Sequence, residues 1–359
     1  MNMVPGVGSI KTKALLDCFK STENIFKASA HELTEINGIG NVIAENILRT
    51  GKDRFLLDKE LELVKKESAR VITLFDENYP ARLKEIYDPP IVLYIKGEIK
   101  KEDEIAVSIV GSRRCSNYGR DTAQRLSGEL VNLGITVVSG MARGIDTAAH
   151  TGALNNKGRT FAILGSGLSK IYPPENKRLS EKIAESGAVV SEFPIGYGPL
   201  PENFPRRNRI ISGMSLGTVV VEAVKDSGAL ITARCAYEQG REVFSVPGEA
   251  GIDTAFGTNQ LIKDGAKLVE TAKDIIEELS VNIKVALKQK DIKETPTQNL
   301  NEEEKKVFQI LTHKPLYIDD IAESSKLKIA EVSSVLTILE IKDLIEKLPG
   351  NMFVKKYVN

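Results

Sequence analysis

Tryptophan is absent from this chain and cysteine is nearly so, with three residues at positions 18, 115 and 235. Thiols so few and so widely spaced exclude a disulfide scaffold and a clustered zinc site, and they fit inert cysteines in a reducing compartment. Histidine is equally scarce, at three residues. His150 sits inside the helical run IDTAAHTGAL, where a lone imidazole reads as a packed residue, so no histidine is assigned a catalytic role. No apolar run is long enough to cross a bilayer and no secretory signal is evident, so no membrane partner is expected and the cytoplasm is the expected address. An excess of charge of one sign is missing too, since 49 Lys and Arg balance 49 Asp and Glu. Any polyanion must therefore be held by a local patch and not by the field of the whole molecule.

At 359 residues, 42% hydrophobic and 27% charged, the chain can bury a full α/β core and still carry small appended domains. Short, continuously apolar runs at 106–110, 136–139, 161–164, 189–191, 218–222 and 243–246 alternate with helical segments. Such runs belong to a parallel sheet covered on both faces, so the predicted fold is a Rossmann-like doubly wound, mainly parallel sheet. Before it, VPGVG at 4–8 and INGIG at 36–40 form an internal repeat. Each turn precedes a helix with Ala14 or Ala44 at a close-packing position, the form of a helix-hairpin-helix pair or of a small packing bundle. Only Met1, Asn2 and Met3 precede the first turn, so the leading helix of that unit is absent or starts upstream. After the sheet, three helical segments and a Pro-Gly hairpin follow in winged-helix order, with Asn301 and Glu304 spaced for a capped start. The predicted winged-helix surface is acidic, with Glu331 and Glu340 on its would-be recognition helix, and is not expected to dominate phosphate binding. The expected domains are residues 1–66, 67–282 and 301–359, with a polar linker at 283–300.

The first strand of the sheet breaks into G-S-R-R-C-S. This is not the G-x-G-x-x-G of dinucleotide folds, and no Walker lysine motif is present, so neither a nicotinamide cofactor nor ATP hydrolysis is expected, and no cofactor is assigned. What the strand ends do share is anion chemistry. Gly111, Ser112, Arg113, Arg114 and Ser116 follow the first strand, and Arg143 follows the second. Lys170, Tyr172, Asn176, Lys177 and Arg178 follow the third, while Asn203, Phe204, Arg206, Arg207 and Arg209 follow the fourth. Gly111 lets the backbone approach an anion, the helix start near Asn117 to Gly119 offers free N–H groups, and the arginines add forked donors. Aromatic rings interleaved with cations suit a single nucleic-acid strand held without sequence preference. Some of these arginines are expected to brace loops by pairing with Asp146, Glu192 or Glu222.

The runs SIVGSRRCSNYGR, VVSGMARGIDTAAHTGAL, ILGSGLSKIYPPENKRL, SEFPIG, NFPRRNRIISGMS, VVVEAVKDSGALITARCA and VFSVPG, in this order, resemble the bacterial DNA-processing DprA/Smf family. The resemblance implies a Rossmann-fold homodimer that binds single-stranded DNA, protects incoming strands in natural transformation and loads the RecA recombinase, with no known catalysis. It carries the arginine of the G-S-R turn onto Arg113, and the basic residues of the Tyr-Pro loop onto Lys177 and Arg178. Relatives often have lysine just after the Tyr-Pro pair. Here that position is Pro174, so the contact shifts to Lys177 or Arg178 or is lost. The alternative is a Rossmann-like hydrolase of nucleoside monophosphates, to which SGMSLGTVVVEA is similar, with Glu222 as its acid. The glycine pair such a loop needs before Gly217 is missing.

Overall fold

The computed structural model describes residues 1–279, 300–312, 315–342 and 344–355, in two compact units, Met1–Thr271 and Ala272–Asn359. The predicted linker lies, apart from Leu300, outside the described residues, as does His313.

In the first unit both repeated turns place a glycine in left-handed backbone, Gly6 at φ 81° and Gly38 at φ 83°. Each then opens a helix through an extended glycine N-cap: Gly8 before α1 (Ser9–Phe19) and Gly40 before α4 (Asn41–Lys52). Between them lie the short α2 (Thr22–Lys27) and α3 (Ala30–Thr34). Val4, Leu15, Ile25, Leu33, Ile39, Ala44 and Ile47 close a small core. Ala44 is buried as predicted, whereas Ala14 is only half-buried and Leu15 takes the interior of α1. α5 (Arg54–Lys66) fastens this layer to the sheet, because the buried Glu60 accepts the Ile195 N–H at 2.7 Å.

The sheet has the order β1-β2-β6-β5-β4-β3-β7-β8-β9 among the described residues. β1 (Arg70–Thr73) and β2 (Val92–Gly97) form an antiparallel edge, joined through α6 (Ala81–Lys84). β3 (Ala106–Val110), β4 (Thr136–Ser139), β5 (Thr160–Ile163), β6 (Ala188–Ser191), β7 (Gly217–Val220), β8 (Glu242–Ser245) and β9 (Lys267–Leu268) run parallel. The crossover helices are α7 (Asn117–Asn132), α8 (Ile145–Asn155), α9 (Lys177–Ser186), α10 (Asn203–Gly213), α11 (Gly228–Glu238) and α12 (Phe256–Lys263). Strand residues alternate between two cores: Leu93, Ile95, Phe161 and Ile163 pack with Ile210 and Ile211 of α10, and Tyr94, Ala162 and Val189 pack with Ile183 of α9. Both faces are therefore covered, as short all-apolar strands require. The chain winds outward from β3 to β6, then α10 carries it back to β7 on the other side of β3. A crevice opens at the carboxyl ends of the strands beside this switch.

The second unit contains a helix at 272–279 (α13), then α14 (Glu302–Ile310), α15 (Ile318–Ser325) and α16 (Ile329–Ile341). A three-stranded antiparallel sheet, β10 (Leu316–Tyr317), β12 (Met352–Lys355) and β11 (Ile345–Leu348), completes a winged helix. Asn301 and Glu304 form the predicted capping box at α14. All three cysteines are free, and none is buried: Cys18 is exposed and the others are half-buried. Burial and the carboxylate of Glu222 or Glu238 hold the Cys115 and Cys235 thiols up.

The amino edge of the sheet, opposite the crevice, is fastened by Asp103. Its carboxylate accepts from Arg159 Nε and Nη2 at 2.7 Å each, from Thr136 Oγ1 at 2.6 Å and from Lys100 N at 2.7 Å. Removing one partner of a buried ion pair strands the other, so Asp103→Ala should cost about 3 kcal/mol of unfolding free energy. Urea denaturation checks this, and a loss under about 1 kcal/mol would place the pair among weak surface bridges.

Candidate nucleic-acid interface

β3 ends at Val110 and the chain turns at once. A Cβ on Gly111 would lie 2.6 Å from Ile145 Cγ1 and 3.0 Å from Glu222 O, so this glycine is required by close packing against α8 and β7. Ser112 N donates to Glu222 O at 2.8 Å. The Glu222 carboxylate accepts the Ser116 N–H at 2.9 Å and the Ser116 hydroxyl, and Ser116 Oγ accepts the Gly119 N–H at 3.0 Å. A side chain on Gly119 would collide with that carboxyl group. The turn is thus held at both ends. Its middle residues, Arg113 and Arg114, stand exposed with no ion pair among the described residues.

This arrangement corrects two expectations. Of the helix-start amides expected to be free, that of Gly119 is spent on Ser116, which serves as the N-cap of α7 and whose own N–H goes to Glu222. Glu222 meets Ser116 and not an arginine.

Beside the turn lies a cleft of about 890 Å³. Arg113 and Arg114 form one rim, Tyr172 and Phe204 another, and Arg207 and Asp146 the floor. Arg113 lies 5.4 Å and Arg207 6.0 Å from the Phe204 ring centroid, and Tyr172 is 5.7 Å from the same ring. Arg207 is 4% exposed; it donates to Ile163 O and, at 3.3 Å, to Asn208 Oδ1. Burial lowers its pKa to about 10, against the support of Asp146. Burial likewise raises the Asp146 carboxyl, opposed first by Arg207. Both groups pack over Gly140, where a Cβ would strike each of them.

The remaining predicted residues divide by partner. Arg143 is exposed but paired with Glu175. Lys170 and Lys177 line a separate hollow of about 410 Å³ with Lys96, and Arg178 is exposed nearby on α9. Asn176 is buried and donates to Met141 O and Thr147 Oγ1 at 2.9 Å each, and Asn203 is buried and donates to Gly198 O at 3.3 Å. Both amides organise loops. The helix α10 does not bring its three arginines into one crevice. Arg206 pairs with Glu192 at 3.2 Å and covers Phe193, while Arg209, nearly buried, pairs with Asp88 at 3.1 Å and Glu192 at 2.8 Å. Only Arg207 of the three lines the cleft.

A further wall, Val224 with Ser227, Gly228, Ala229, Ile231 and Thr232 at the start of α11, was not among the predicted site residues. Its signal is Ser227-Gly228 after a buried strand, a capped helix start without the charge that drew attention to the first turn.

Comparison with known proteins decides the family. The family model for DNA recombination-mediator protein A matches residues 70–280. The chain belongs to the DNA recombination-mediator protein A (DprA/Smf) family. A DprA winged-helix model matches residues 292–351, and a helix-hairpin-helix model residues 3–54. The chain is 34% identical to Protein Smf of Synechocystis sp., over 99% of this chain and 97% of that one. It is 44% identical to the DNA processing protein DprA of Streptococcus pneumoniae, over 57% of this chain and 73% of that one. The X-ray structure of the pneumococcal DprA is similar at a TM-score of 0.69 and 35% identity, covering 77% of this chain and 95% of that one. The structure of DNA processing protein A from Helicobacter pylori, reported for its single-stranded DNA binding mode, is similar at a TM-score of 0.54 and 29% identity, covering 60% and 96%. The DprA family region is therefore the sheet that carries the cleft.

Behind the floor, His150 is fully buried, with Nε2 2.6 Å from Gly140 O and Nδ1 2.7 Å from Thr160 Oγ1. Burial holds its pKa at about 4, against 6.5 when free. The unfolded chain therefore takes up this proton first as pH falls, and stability is lost between pH 6.5 and 4, by roughly 3 kcal/mol. Asp146, shifted up, acts in the opposite sense. Urea denaturation of wild type and His150→Gln across this range isolates the effect: the wild type should lose stability relative to the variant, and parallel curves would contradict it.

Proposed function

We propose that this chain is a single-stranded-DNA-binding recombination mediator that works by holding a strand in the cleft, without catalysis. The observation that carries the reading is the clamped turn, which displays two arginines with no ion pair among the described residues, beside a pair of aromatic rings over a buried guanidinium. Phosphates suit Arg113 and Arg114, whose forked donors match them. Unstacked bases suit Tyr172, Phe204 and the apolar wall of Val224 and Ile231, surfaces that accept any base by its face. A duplex keeps its base faces stacked inside and cannot use these rings. The single-strand binding mode reported for the Helicobacter pylori relative supports the same assignment.

Further steps belong to this proposal by family resemblance: protection of incoming strands in natural transformation, delivery to RecA, action as a homodimer and a cytoplasmic setting. The domains are proposed as residues 1–66, 67–282 and 301–359, with the DNA-binding role in the second. The hydrolase alternative needs Glu222 at the cleft. Its carboxylate instead accepts from Ser116 and abuts Gly119, and Glu222 is not among the residues that line the cleft.

Fluorescence anisotropy with labelled oligothymidylate tests the reading. Arg113→Ala should weaken binding by about 1.5–3 kcal/mol, the range for a charge-assisted hydrogen bond. Arg209→Ala, which breaks contacts to Asp88 and Glu192, should lower stability and leave the affinity of the folded protein unchanged. Wild-type affinity in Arg113→Ala would remove the cleft as the binding centre.

A further inference from the structure

The arginine turn has two sides. On the side away from the cleft, against the starts of α7 and α8, lies a second hollow of about 310 Å³. Arg113, Arg114, Arg120 and Arg143 line it, with Gln124 and Thr151 among its polar residues and no carboxylate in its lining. Four guanidiniums around one open space repel one another, and they stay charged at any pH the protein meets. Their present partners satisfy them in part. Arg120 donates to Asn117 Oδ1 at 3.3 Å, Arg143 pairs with Glu175 and Arg113 faces the Phe204 ring. Arg114 has no side-chain partner among the described residues. Arg120 lies on the exposed side of α7 and takes no part in the first cleft. A concave, acid-free space with this many forked donors has the chemistry of a site for a phosphate group.

Arg113 and Arg114 line both hollows, so they form a ridge between them. A strand seated in the cleft with its phosphates on that ridge continues directly into the second hollow. We propose that the hollow bounded by Arg114, Arg120 and Arg143 is a second phosphodiester subsite, which grips the strand after it crosses the ridge. This rests on the reading of the cleft as a single-strand site, and it assigns to Arg120 a binding role that neither the motif pattern nor the cleft gives it.

The test uses the full chain and two oligothymidylates, one of about 4 nucleotides that fills the cleft alone and one of about 16 that reaches beyond it. Arg120→Gln should weaken binding of the longer oligonucleotide about three- to tenfold and reduce its salt slope by about 0.7, the value for one phosphate contact on a single strand. The shorter oligonucleotide should bind as to wild type, and Arg120→Lys should recover much of the loss. Thr151→Glu, which adds a carboxylate to the hollow from a different helix, should reproduce the loss if Arg120→Gln disturbs α7. Wild-type binding of both lengths by Arg120→Gln and Thr151→Glu, with Arg113→Ala still defective, would overturn the subsite and leave the cleft standing; the hollow would then hold a free anion or nothing. An equal loss for both lengths would also overturn it, by merging the hollow with the cleft. Retention of binding by Arg113→Ala would overturn the cleft reading, and the subsite with it.

Discussion

The crevice depends on one carboxylate. Glu222, 5% exposed and two residues past β7, ties down Ser116 through its N–H and hydroxyl, while its own carbonyl takes the Ser112 N–H. These contacts bridge the two central strands at the switch point and fix the start of α7. Hydrogen bonds to a charged, desolvated acceptor are the strong kind, so the turn between them has little freedom. Two exposed arginines are long and flexible, and ordering them on a ligand costs side-chain entropy. Rooting both in a rigid turn reduces what must be ordered.

The other arginines show how a basic cluster in sequence is divided among different partners in the fold. Arg209 and Arg206 share the buried Glu192 and stitch α10 to the loops beside it. Arg207 lines the cleft but is sunk in its floor beside Asp146, where burial works against both charges. A buried pair of this sort gives limited net stability, and removing either member exposes the full cost of the other. Its use is to keep a positive charge under the Phe204 ring at a fixed depth, while Arg113 contributes a second beside the same ring.

Much of this was legible in the sequence, and the failures have a common cause. Short apolar runs located six of the seven described parallel strands within a residue or two, because strands buried on both faces cannot carry polar residues freely; the two-residue, exposed β9 carries no such run. Paired glycine turns marked the helical layer, and Asn301 with Glu304 marked the start of α14. Charge at strand ends located the crevice but could not rank the arginines. Side-chain direction along α10 separates Arg206, Arg207 and Arg209; Glu192, expected from the sequence as a partner, lies 14 and 17 residues from Arg206 and Arg209, whereas Asp88 is 121 residues from Arg209. Asn176 and Asn203 carry no charge to distinguish a loop brace from a ligand contact. The wall formed by Val224, Ser227, Gly228, Ala229, Ile231 and Thr232 escaped notice because its residues are uncharged, and only the fold brings them to the same cleft as Arg113.

The central claim is that the cleft grips a single strand by phosphate charge and base stacking, and the direct measurement is equilibrium binding of one sequence, single-stranded and as duplex, across a range of salt concentrations. The account predicts at least about tenfold tighter binding of the single strand, equal to about 1.4 kcal/mol. It also predicts a linear fall of log affinity with log salt, by about 0.7 per phosphate contact. Equal affinity for the duplex, or single-strand binding that ignores salt, would contradict it.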